Sequence, residues 1–337
     1  MILNAPTLFS LFLSGISILL AMVGLAIGAN CWWVTKRPIK SLQNRLFENR
    51  FHLLVIVLGT LAIMRTLAWP HFYWLLKSYV SNLRPFGVMC AFGVTQTDTS
   101  LTLSLQVLKP AILLGLVTWH LLGLVDRRTP HAPLRFTRMI LALPLSIVML
   151  IEAAMEMIFL FRDKAGQRIT CCTPFIRTDS VFLPDDPIPL EHLGISSTKQ
   201  LAVIYFVAHA IMIGLCVIGT RRAHRSFLKS SMLIGVTVLT AFSSLLITYI
   251  NWKQQVAPIV LQLPYHHCIY ELITDTPAMG LAAVLALVGH LGPLSILALH
   301  FFWVRSSPII DNMQKHIFHI CWIALTSELL IVTVHLI

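Results

Sequence analysis

Eight apolar runs dominate this chain, and each is long enough to cross the hydrocarbon layer of a bilayer. They lie at approximately residues 7–29, 51–69, 101–124, 137–161, 199–220, 231–250, 277–302 and 316–337. A crossing helix needs about 17–25 predominantly apolar residues. It must be a helix because hydrocarbon offers no water to satisfy backbone groups that lack an internal partner. Composition agrees, with 57% hydrophobic and 12% charged residues against about 25% charged in a soluble domain. The expected fold is therefore an all-α polytopic bundle of about eight transmembrane helices, a single membrane domain over residues 1–337 with the lipid bilayer as its solvent. A soluble helical protein could not solvate runs of this length.

The formal net charge is +11, and its distribution follows topology. The stretches after the first, third, fifth and seventh runs carry 15 Lys and Arg against three acids, Glu48, Asp126 and Asp311. The stretches after the second, fourth and sixth carry eight basic residues against eight acids. Lys and Arg are retained on the cytoplasmic side, so the odd-numbered connections are expected inside and both chain ends outside. The basic excess then needs no nucleic acid, and no basic stretch with interleaved aromatics suggests one. The first run lacks the positive flank of a signal peptide, although Ala26-Ile27-Gly28 is a weak cleavage-like site. No internal repeat is evident by eye, and an inverted repeat of four plus four helices stays open. The longest segment outside the membrane is residues 162–198, on the expected outer side. The N-x-S/T sequon is absent throughout, which suits a bacterial cytoplasmic (inner) membrane.

Seven cysteines divide by this topology. Cys31, Cys216 and Cys321 lie in apolar helical contexts, where a thiol packs as a small hydrophobe. Cys90, the adjacent pair Cys171-Cys172, and Cys268 in Tyr265-His266-His267-Cys268 fall in the three non-terminal outer connections, one motif in each. Three chemistries fit them. Four outer cysteines could staple the loops as two disulfides. Cys90, Cys171, Cys172, Cys268, His266 and His267 could ligate a soft metal such as copper or zinc. A thiol beside a histidine could act as a redox thiolate, although no C-x-x-C is present. If residues 265–272 are helical, His267 and Glu271 share a face, and Glu271 would orient the imidazole as metal-site carboxylates do.

Charges within the runs form a second group. A charge at mid-bilayer costs about 2.5–3.5 kcal/mol on insertion scales and defaults to a functional hypothesis. Arg65, Lys109, Glu152 and Glu156, with Gln106 and His209, are expected to face the bundle interior beneath the outer cysteines. Glu152 and Glu156 are one helical turn apart, hence on one face. The two bases balance the two acids, so the set could fix helix register or form a polar pocket and proton path.

These features together suggest a multi-pass membrane protein that handles a soft metal or thiol redox equivalents at its outer face, working with other membrane or periplasmic proteins. The competing expectation is a non-enzymatic permease, or a membrane subunit of a larger complex, with structural disulfides outside.

Overall fold

A computed structural model describes residues 4–35, 41–129, 134–162, 198–222, 227–263, 266–302 and 308–336. The connection 162–198, expected on the outer side and containing Cys171 and Cys172, lies almost wholly outside the described residues. Among the described residues the secondary structure is helical throughout, with no strand. Eight helices are long and apolar enough to span a membrane, and the chain is an all-α polytopic membrane protein.

The chain divides into two compact units, Met1–Ile169 and Thr170–Ile337. The first contains α1 (Ala5–Thr35), α2 (Ser41–Leu83), the short α3 (Ala91–Gln96), α4 (Thr99–Arg128) and α5 (Arg135–Phe161). Within it α1 packs on α2 and α5, and α4 packs on both α2 and α5. Ala21, Leu54, Leu58, Leu61, Ile112, Leu116 and Met149 interlock at the centre.

The second run proves to be part of a much longer helix. At 43 residues, α2 is about 65 Å long, roughly twice the hydrocarbon thickness. Its apolar run ends at Trp69-Pro70, yet the helix continues through Pro70. Proline forfeits one backbone bond there, and packing supports the rest: Phe72, Leu75, Leu76 and Tyr79 are fully buried. A 3₁₀ turn, Arg84–Phe86, then ends in Gly87 at φ 92°, a left-handed conformation that glycine adopts without steric cost.

Two charges beside the α4–α5 connection, Asp126 and Arg138, lie inside helices. Arg138, on the first turn of α5, is 3% exposed. Its guanidinium lies 4.2 Å from the Trp119 ring and 5.1 Å from the Phe51 ring, with Asp126 at 3.9 Å. Asp126 also accepts the Leu134 amide at 2.8 Å, which ties the α4–α5 connection. A planar guanidinium fills such a slot between rings better than an ammonium would.

The second unit contains α6 (Thr198–Arg222), α7 (Phe227–Asn251), a π turn (Trp252–Val256), α8 (Ala257–Val260), the short α9 (Ile269–Asp275), α10 (Pro277–Phe302) and α11 (Pro308–Leu336). Here α6 packs on α7 and α11, and α10 packs on α7 and α11. Each unit therefore repeats one plan. Four long helices close a ring in chain order, and a short helix follows the second. Cys90 stands at the N-cap of α3 and Cys268 at that of α9.

Cys31, Cys216 and Cys321 are unbridged and buried, as packing thiols should be. Cys321 marks a close approach of α10 and α11. A methyl built on Gly292 would come within 2.2 Å of its sulfur, while one on Gly235 would meet nothing within 4 Å. Gly292→Ala should therefore cost about 1–3 kcal/mol through overpacking, and Gly235→Ala should not destabilise. Thermal unfolding in detergent checks the pair. Equal midpoints would show that α10 and α11 do not rely on this approach.

Candidate functional site

The rim of the second unit gathers three potential ligands. After α8 the chain turns at Gln262, a non-glycine residue at φ 55°, and the His266 amide donates back to the Leu263 carbonyl at 2.9 Å. Cys268 takes an extended conformation, φ −89° and ψ 107°. That stops any helix from running through residues 265–272, and α9 begins only at Ile269.

This changes which histidine meets the glutamate. His267 donates through Nδ1 to the Lys253 carbonyl at 3.0 Å, and His266 instead pairs through Nε2 with Glu271. One turn of α9 brings Glu271 back over Cys268, so ligand atoms of His266, Cys268 and Glu271 all lie within 4.8 Å of one another. Cys268 is 1% exposed. The His266 and Glu271 side chains are 13% and 26% exposed. One buried sulfur thus lies beside an imidazole and a carboxylate whose side chains are partly exposed. A tetrahedral zinc site accepts all three donor types and can keep a fourth position open.

The other expected members are placed elsewhere. Cys90 belongs to the first unit, where it is 3% exposed. Cys171 and Cys172 lie outside the described residues.

The charged quartet forms within the first unit. Arg65 on α2, Lys109 on α4, and Glu152 and Glu156 on α5 are each at most 3% exposed. Lys109 Nζ donates to Glu152 Oε1 and to Glu156 Oε2, both at 2.6 Å. Arg65 Nη1 donates to Glu152 and lies 3.8 Å from Glu156. The Phe72 ring, 5.1 Å from Lys109 Nζ, adds a cation–π contact. Gln106 lies half-buried one turn from Lys109. The set is compact and formally neutral.

His209 does not join it. It belongs to the second unit and has its own acid, Glu328 on α11, with Nε2 to Oε2 at 2.8 Å. Tyr205 donates its hydroxyl to the other Glu328 oxygen at 2.7 Å. His290 stands edge-on to His209 with ring centroids 5.4 Å apart and contacts Ser244 Oγ at 3.0 Å. Glu328 is the residue sequence reasoning missed. Its signal is the one that found the quartet, an acid inside an apolar span.

No protein-family model, curated protein or solved structure matches this chain, so each site is read from its own chemistry.

The quartet makes a definite prediction. Lys109→Met leaves two buried carboxylates with one base, and should cost about 3–5 kcal/mol. Adding Glu156→Gln restores neutrality and should recover much of that loss. Unfolding of both variants in detergent checks this. A single variant as stable as the double would mean the quartet is not electrostatically coupled.

Proposed function

We propose that the protein holds a zinc or copper ion at a site made by His266, Cys268 and Glu271, on the outer face of a bacterial cytoplasmic membrane, and passes it to extracytoplasmic metalloproteins. The observation that carries this reading is the convergence of a thiol, an imidazole and a carboxylate within 4.8 Å on a single turn-and-helix segment. The topology expected from Lys and Arg, with both chain ends outside, puts that segment on the outer side.

The donor set favours a borderline-soft ion. Thiolate and imidazole suit both zinc and copper, and zinc also accepts a carboxylate oxygen. Metal binding requires the thiolate, so loading the site releases a proton. Three protein ligands leave a fourth position for an exchanging ligand, which suits delivery better than permanent storage. The burial of Cys268 favours holding an ion over thiol exchange, since an attacking thiolate must be reached by its disulfide partner.

Elemental analysis of the purified full-length protein, reconstituted with zinc or copper and desalted, tests this. Stoichiometric metal is expected in the wild type and in Cys216→Ser, whose thiol packs in an apolar core. It should be lost in Cys268→Ser and His266→Ala. Glu271→Gln should weaken binding about 10- to 100-fold. A wild type that retains no metal, or a Cys268→Ser variant that retains all of it, contradicts the reading.

A further inference from the structure

The buried pair in the second unit needs a proton that neither residue has in its ordinary neutral-pH form. His209 Nδ1 lies 3.0 Å from the Tyr205 carbonyl oxygen. A carbonyl only accepts, so Nδ1 carries the hydrogen. In a neutral imidazole the other nitrogen, Nε2, is then an acceptor. It lies 2.8 Å from Glu328 Oε2, with neither atom hydrogen-bonded elsewhere, and an ionised carboxylate is also only an acceptor. Two lone pairs do not meet at that separation in a dry interior unless a proton lies between them.

The surroundings supply no substitute. On α6, Tyr205 already donates to Glu328 Oε1. On α10, His290 donates through Nδ1 to the Ala286 carbonyl at 2.7 Å and accepts from Ser244 of α7 through Nε2 at 3.0 Å. His290 is thus satisfied as a neutral ring. The π turn and α8 contribute no buried acid or base among the described residues. The buried acids and bases of this unit, among the described residues, are His209, His290 and Glu328, with no Lys or Arg. The first unit neutralises its buried glutamates with Lys109 and Arg65. Among the described residues of the second, no lysine or arginine is buried.

We propose that His209 and Glu328 form a proton-binding site inside the membrane-spanning part of the second unit. The ligand is a single proton shared between Nε2 and Oε2. Loaded, the site is either a glutamic acid donating to imidazole or an imidazolium donating to carboxylate, and both states are net neutral. Release of the proton to bulk water leaves a buried carboxylate facing a lone pair, which pushes α6 and α11 apart. Proton occupancy therefore holds these two helices together. The proposal is independent of the metal reading, because it involves none of the three rim ligands.

The wild-type protein in detergent at neutral pH provides the test. Infrared spectra of protein carrying isotope-labelled glutamate should show a protonated carboxyl, or nitrogen NMR of histidine-labelled protein should show an imidazolium. In either case Glu328→Gln should remove the signal. Unfolding in weakly buffered detergent at the same pH should release about one more proton from the wild type than from Glu328→Gln. Should that variant fail to fold, the wild-type spectra still decide. Absence of both signals in the folded wild type overturns the proposal, as does equal proton release from the two proteins.

Discussion

Charge inside hydrocarbon must be neutralised by a partner within bonding distance, and the interior of each unit is organised by that requirement. In the first unit Lys109 sits between Glu152 and Glu156, with Arg65 against the same acids. Three helices, α2, α4 and α5, are drawn together at the level of these four side chains. A lone member would be costly to bury, and the assembled set is neutral. The compensation fixes which faces of these helices turn inward, and so the register in which the apolar residues of the first unit interlock.

Among its described residues, the second unit meets the same requirement without a buried lysine or arginine. Glu328 receives the Tyr205 hydroxyl on one oxygen and meets His209 on the other. Neutrality then rests on a mobile particle where the first unit uses two fixed bases. A lysine or arginine stays charged under nearly all conditions, while a proton can leave. The two units share a plan of four ringed helices with a cysteine-capped short helix after the second, but their interiors are chemically different. At the rim of the second unit, ligand atoms of Cys268, His266 and Glu271 lie within 4.8 Å of one another.

Much of this was legible in the sequence. Run length gave eight helices, and the expected intramembrane residues Arg65, Lys109, Glu152 and Glu156 converge as complementary charges. The failures have physical causes. Spacing four apart pairs His267 with Glu271 only if the helix is continuous. The extended backbone at Cys268 delays α9, and His266 takes the glutamate instead. His209 looks solitary on α6 because its partner, Glu328, is 119 residues away on α11, and the sequence does not show that these two helices pack together. The burial of Arg138 was not legible because a sequence does not show that Trp119 and Phe51 form a slot for its guanidinium. Pro70 marks the end of an apolar run, yet buried side chains beyond it sustain the helix.

The central claim is that Cys268, His266 and Glu271 act together as one metal centre. X-ray absorption spectroscopy of the zinc-loaded full-length protein tests it most directly. The account predicts a four-coordinate ion with one sulfur at about 2.3 Å and the remaining neighbours nitrogen or oxygen at about 2.0–2.2 Å, the sulfur disappearing in Cys268→Ser. An ion with no sulfur neighbour, or one whose sulfur persists in that variant, would contradict it.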